Sequence, residues 1–192
     1  MPKTRVVIIN GVAESGKDTF VEYVSQYCQM DDSANVLNLS SVGPIKDMLM
    51  GFGWNGDKIL QVRDCISLIK DIWIGANNGP TMYLLNNILE FYKAHFDEDN
   101  IIFCHIREKA EIDKLSNILS GMDILGIEYI IMYVRREQDN IEDRINKDNI
   151  INNNADPFYY DMIIDNDKDL EYLKEIAEDF TDELLGGNYD EV

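Results

Sequence analysis

Gly11, four residues, then Gly16 and Lys17 form a Gly-x4-Gly-Lys run that continues as Asp18-Thr19. Glycines let a backbone wrap so closely that successive N–H groups point inward, and a helix opening at the lysine adds the partial positive charge of its N-terminus. Such a loop holds the oxygens of a polyphosphate, with Lys17 reaching the β and γ phosphates as a point charge. The apolar run Arg5–Asn10 before it and the amphipathic stretch after it supply the strand–loop–helix setting that a P-loop requires. The expected cofactor is ATP, contacted by Gly11, Glu14, Ser15, Gly16, Lys17, Asp18 and Thr19. Asp18 stands where a Ser or Thr hydroxyl ordinarily binds magnesium. It reads either as a ligand of Mg2+, directly or through water, or as an acid favoured by the helix dipole, while Thr19 is expected on the α phosphate.

Positive charge is scarce elsewhere, with 17 basic against 36 acidic residues and a net charge of −19. A chain this acidic lacks the footprint that nucleic acid or an anionic membrane needs, so the expected partner is a small molecule. Arg5 apart, the arginines are Arg63, Arg107, Arg135, Arg136 and Arg144. Their planar forks suit phosphate recognition. Arg107 follows the third apolar run, and Arg135 with Arg136 closes the fourth. Ligands of an open parallel sheet sit beyond the carboxyl ends of its strands, which puts these arginines at a phosphate cleft. A surface ion pair with Glu108 or Glu111 is the competing reading for Arg107, and an i to i+4 bridge to Asp148 the one for Arg144.

Five strand-like runs must position these groups: Arg5–Asn10, Asn35–Leu39, Ile101–Cys104, Ile127–Val134 and Met162–Ile164. Helical patterns separate them, which predicts an α/β fold with a mostly parallel sheet. Lys17–Cys28 carries Phe20, Val21, Val24, Tyr27 and Cys28 at helical spacing. A second amphipathic helix follows the third strand, through Ile112, Leu115, Ile118, Leu119 and Met122, and a last one spans Asp169–Leu185. With 192 residues the chain fits one domain. Its helical insertion, 44–96, is punctuated by Gly51, Gly53, Gly56, Gly75, Gly79 and Pro80 and is longer than a crossover needs, so it is expected to bind the acceptor. Within it Lys46 and Arg63 are candidate acceptor ligands, and Arg63-Asp64 and Lys70-Asp71 repeat a basic–acidic pair on one helical face, which a solvated flank explains equally well. Trp54, Trp73, Tyr83 and Phe91 read as core, although one of them could stack on a base. The polar segment 135–154 fits a short lid, and 186–192 an acidic tail.

Cys28, Cys65 and Cys104 are far apart and form no Cys-x-x-Cys, so they read as buried thiols and not as disulfides or zinc ligands. No apolar run reaches membrane-spanning length, and the opening Met-Pro-Lys-Thr-Arg runs straight into Val6–Ile9 with no secretory leader, so a cytoplasmic protein, monomer or homodimer, is expected.

The loop Gly-x4-Gly-Lys-Asp-Thr resembles that of nucleoside-monophosphate-kinase-like P-loop proteins, notably the phage-type deoxynucleoside monophosphate kinases and their uncharacterised bacterial relatives. Ser-Val-Gly-Pro44-Ile45-Lys46 looks like the Ala-Asp-Pro-Ile-Lys segment that opens their acceptor region. Phe103-Cys-His105-Ile-Arg107-Glu108-Lys-Ala-Glu111 is similar to their Asp-Val-Arg-x-x-x-Glu segment, with His105 where those kinases often carry an acid. Tyr160-Asp161-Met-Ile-Ile-Asp-Asn166, with Leu170-Glu171, looks like their last strand and helix. The resemblance implies ATP- and Mg2+-dependent phosphoryl transfer to a nucleoside or deoxynucleoside monophosphate, with Arg136 and Arg144 closing onto the transferring group and Lys17 and Arg107 as further catalytic cations. Two rival readings remain: a P-loop kinase of a non-nucleotide acceptor such as dephospho-coenzyme A or a sugar, and a nucleotide-binding regulatory protein, which the missing Asn-Lys-x-Asp signature disfavours.

Overall fold

The computed structural model describes residues 2–57, 59–136 and 159–186. Its centre is β1 (Thr4–Asn10), buried at all seven positions, with the β-branched run Val6–Ile9 in its middle. A strand covered on both faces has no polar side to show, which is why it reads as an unbroken apolar run. Around it lie β2 (Asn35–Ser40), β3 (Asn100–His105), β4 (Ile127–Arg135) and β5 (Met162–Asp165), in the spatial order β2-β3-β1-β4-β5. Every pairing is parallel. All five predicted strands are present, each within one or two residues of its expected ends.

Alternation along the strands divides the core in two. Val7 and Ile9 face α1 (Lys17–Asp31) and the C-terminal helix α6 (Leu170–Gly186), joined by Phe20, Phe103 and Phe180 with ring centroids 5.4–6.4 Å apart. Val6 and Ile8 face α4 (Gly79–Ala94) and α5 (Lys109–Leu119) through Leu84, Ile88, Ile112 and Leu115. Helix α1 runs on to Asp31, past the expected end at Cys28, because Gln29–Asp31 are exposed and the face that packs on the sheet ends before the helix does. Helix α5 stops at Leu119; Met122 packs on the core from the turn beyond it.

The insertion folds as α2 (Gly43–Gly51), α3 (Leu60–Asn77) and α4. Gly75 does not interrupt it, contrary to its reading as punctuation, because one glycine costs a helix only about 1 kcal/mol. The break comes at Asn78, which is left-handed with φ 53°, ahead of Gly79-Pro80. A Cβ on Gly79 would overlap the Trp73 indole, so glycine is what lets α4 start against α3. Cys28 and Cys104 are buried as expected, whereas Cys65 is exposed: it lies on the outer side of α3. Of the lid-like segment 135–154 only Arg135 and Arg136 are among the described residues; Arg144 and the tail after Gly186 lie outside them.

Candidate active site

The parallel register brings three strand ends level. Ile9 of β1 lies beside His105 of β3, and Asn10 beside Tyr133 of β4. The loop 11–16 leaves the sheet there. Gly11 takes φ 145°, where a Cβ would run into the Val134 carbonyl oxygen, and Gly16 takes φ 97°, where a Cβ would run into the Asn166 amide. Neither position accepts another residue without strain. Glu14, with φ 66°, completes the turn, exposed at the tip.

Helix α1 has no side-chain cap. Its ladder begins with Phe20 N donating to Gly16 O at 2.9 Å, so the amides of the preceding turn have no partner within the helix. Together with the N-terminal dipole they make an anion site over Gly16–Thr19. Lys17 arches across the loop and donates through Nζ to Gly11 O at 2.7 Å, Val12 O at 2.5 Å and Ser15 Oγ at 3.2 Å. Lys17 thus draws Gly11, Val12 and Ser15 together at the top of β1, with Gly16, Asp18 and Thr19 next to it along the chain.

Two asparagines that the motif does not include brace the loop. Asn166, just past β5, is buried and donates to Ser15 O at 2.9 Å. Buried Asn10 accepts from Gly11 N at 2.6 Å and donates to Tyr160 Oη at 2.9 Å and Arg107 O at 3.4 Å. Burial pushes the Tyr160 phenol up to about 12, the bond from Asn10 opposing that shift. The only trace of this bracing in the sequence is a polar amide closing each apolar strand.

Asp18, on the exposed first turn of α1, holds Oδ1 3.8 Å from His105 Nδ1. The His105 ring is largely buried and its Nε2 has no hydrogen-bond partner. Burial lowers its pKa to about 4, against the pull of Asp18 and with help from the charges of Lys17 and Lys46. Asp18 Oδ1 and the His105 Nδ1 that faces it would offer a divalent cation two donors, while the partnerless Nε2 is the other ring nitrogen. Among the described residues no cluster of three or more His, Cys, Asp or Glu side chains occurs, so a cation here would complete its shell with phosphate oxygens and water.

The remaining predicted residues fall into different places. Lys46, in the first turn of α2, is close enough to His105 to influence its charge. Arg107 is exposed just past the end of β3. Arg136 lines an open cleft of about 510 Å³ with Asn166, Lys168, Asp169, Leu170 and Glu171, beside the loop. Arg135, expected at the cofactor, makes a two-pronged ion pair with Asp165 on the neighbouring strand, through Nε and through Nη2 at 3.0 Å. The β4–β5 register sets those two residues side by side, which the spacing in sequence does not reveal. Arg63 lies half-buried in the first turn of α3. Lys70, read with Arg63 as one flank, is buried and bonded to Glu108 at the start of α5. Its apparent heptad partner is therefore no guide to its role. A smaller cavity of about 250 Å³, between Lys3, Arg5 and Glu128, lies at the opposite end of β1.

No family model matches this chain, and no curated protein does. Solved structures do. APE1195 superposes with a TM-score of 0.56 at 15% identity, covering 99% of each chain. The APS kinase CysC of Mycobacterium tuberculosis, in complex with AMPPNP and APS, superposes with a TM-score of 0.56 at 12% identity over 96% of this chain and 99% of that one. A gluconokinase from Sinorhizobium meliloti 1021 gives 0.52 at 13% identity over 98% and 96%. At these identities the likeness is one of fold: the chain has the five-stranded parallel α/β fold of P-loop kinases.

Proposed function

We propose that this protein transfers the γ-phosphoryl group of ATP to a small phosphorylated acceptor, a nucleoside or deoxynucleoside monophosphate. The observation that carries the reading is the loop at the top of β1, where two positive-φ glycines, an uncapped helix N-terminus and the arched Lys17 ammonium converge. Phosphoryl transfer needs little covalent chemistry from a protein; it needs positioning and cations where charge accumulates. The loop amides orient the β and γ phosphates while Lys17 exchanges its carbonyl partners for phosphate oxygens. Asp18 and His105 would hold a divalent cation, which would neutralise phosphate charge. Arg136 at the rim of the cleft and Arg144 from the lid-like segment serve the transferring group, and Arg107, Lys46 and Arg63 serve the acceptor. The insertion 44–96 is then the acceptor-binding part of a single domain. No general base is required, because the acceptor is already an anion.

A coupled assay that follows ADP over the common ribo- and deoxyribonucleoside monophosphates tests this reading. ADP production with at least one of them is expected; none with any, from a protein that binds ATP, removes the monophosphate acceptor. The second reading keeps the donor side and makes the acceptor a hydroxyl of a non-nucleotide. It draws support from the fold shared with an APS kinase and a gluconokinase. Acceptor-dependent thermal shifts in the presence of a non-hydrolysable ATP analogue separate the two.

A further inference from the structure

We propose that Asn10 is a positioning residue that sets the phosphate loop at a fixed distance from the backbone of Arg107, so that the donor loop and an acceptor-side cation are carried as one body. The inference rests on the phosphate-loop reading and on the acceptor role given to Arg107 above, and it deepens both by naming the residue that keeps the two sites in register.

Asn10 is the last residue of β1, 2% exposed, with β3 on one side and β4 on the other. Ile9 lies beside His105, and the backbone link between β1 and the chain leaving β3 runs on to Ile106 N, which donates to Ile9 O at 3.2 Å. The next rung of a parallel ladder would run from Gly11 N to Ile106 O. Gly11 N donates instead to Asn10 Oδ1 at 2.6 Å, and the loop leaves the sheet there. Asn10 makes the crossing with its side chain: Nδ2 donates to Arg107 O at 3.4 Å and, through its second hydrogen, to Tyr160 Oη at 2.9 Å. One amide therefore joins the phosphate loop, the turn between β3 and α5, and the residues ahead of β5.

Its partners fix which way that amide points. Turned over, the NH2 would meet the Gly11 N–H, donor against donor, and the oxygen would meet the Arg107 carbonyl, acceptor against acceptor. Tyr160 is a firm anchor, its ring packed with a centroid separation of 4.9 Å against Tyr133, the register neighbour of Asn10 on β4. Lys17 Nζ sits on Gly11 O at 2.7 Å, so the exchange of that carbonyl for phosphate oxygens bears directly on Gly11. Asn10 passes the adjustment from Gly11 to the Arg107 peptide. Phosphoryl transfer is sensitive to such registration, since a misplacement of about 1 Å can cost about 100-fold in rate.

Nuclear magnetic resonance on the full chain labelled with 13C and 15N is the direct test, with Mg2+ and ADP as the probe and no acceptor needed. At saturating ADP the Gly11 amide and the Arg107 carbonyl carbon are expected to shift together in the natural sequence. Asn10→Asp at about pH 8, where a carboxyl group is ordinarily ionised, keeps an acceptor for Gly11 N but sets an oxygen against Arg107 O. There the Gly11 shift should persist and the Arg107 shift should fall to less than half. An Arg107 shift of full size in that variant overturns the proposal, as does an Arg107 carbonyl that ADP leaves unmoved in the natural sequence. Should Asn10→Asp fail to fold, Asn10→Leu, close in size and unable to bond either group, decides by the Arg107 shift alone. Failure of the natural protein to bind ADP removes the loop reading, and the inference with it. Turnover over the panel of ribo- and deoxyribonucleoside monophosphates is the second measurement: Asn10→Asp should lower kcat about 100-fold at saturating ATP. Weakened ADP binding with kcat unchanged would mean that Asn10 only braces the loop, and overturns the proposal. If no monophosphate is turned over, the monophosphate reading falls and the resonance shifts still decide the link.

Discussion

The segment β1–α1 and the paired helices α2–α3 are built by different physics. All seven residues of β1 are buried, and α1 buries Phe20, Val21, Val24 and Cys28 against the sheet. In α3, by contrast, the buried residue of its 18 is a lysine, and α2 buries only Ile45. Met50, Phe52, Leu60, Leu68 and Ile72 stand exposed there. The phosphate loop is therefore set on a close-packed base where small displacements are resisted from both faces. Helix α3 is tied down by the ion pair of Lys70 with Glu108, next to Arg107, and by Trp73 against the start of α4. A donor site that must hold one polyphosphate geometry gains from the first kind of construction; a region that adjusts around an acceptor gains from the second.

The contrast can be broken at several points. Lys17→Ala, which removes the charge at the loop without touching the core, should lower phosphoryl transfer by about 1,000-fold while the melting temperature stays within a few degrees. Normal turnover in that variant would end the kinase reading. Phe20→Ala should cost about 3–5 kcal/mol in urea unfolding, since its ring is fully buried between Phe103 and Phe180. Lys70→Met should cost roughly 2 kcal/mol, below the ~3–5 for a wholly buried pair because the Glu108 side chain is 33% exposed. Adding Glu108→Gln should recover more than half of that loss, as a double-mutant cycle would show.

A smaller effect concerns pH. The Tyr160 phenol, raised to about 12 in the fold by burial, ionises near 10 in the unfolded chain. Its contribution is complete below pH 10 and is lost as pH rises through about 12, because the unfolded state releases its proton first. Tyr160→Phe should flatten the fall in stability across that window; an unchanged slope would show that the phenol is not what titrates. Least of all, Leu68→Ser should alter stability by less than about 0.5 kcal/mol, its side chain being in solvent on α3. A loss comparable to that of Phe20→Ala would mean that α3 is covered in solution and that the two regions are not so different.

Much of the donor side was legible before any coordinates. The apolar run of β1 and the glycine spacing after it read as a buried strand feeding a tight loop, and both are local patterns. The insertion was legible as helical but not in its joints: Gly75 reads like Gly79, and only contact with Trp73 tells them apart. Arg135 follows a strand and was legible as a cation at its end, but its ion-pair partner Asp165 is brought to it by sheet register and was not. Lys70 read equally as an acceptor ligand or as part of a solvated flank, because its true partner, Glu108, lies 38 residues away.

Sequence alone determined what depends on neighbours along the chain: the parallel α/β class, the phosphate loop, and the carboxylate following its lysine. Tertiary structure decided what depends on strand order and register, namely that Asn10 and Asn166 brace the loop, that Arg135 is paired and Arg136 lines the cleft, and that His105 faces Asp18. The reason is one of range. Periodicity and backbone propensity act over a few residues, whereas a hydrogen bond or ion pair forms between whichever groups the packed sheet sets side by side, however far apart they are in the chain.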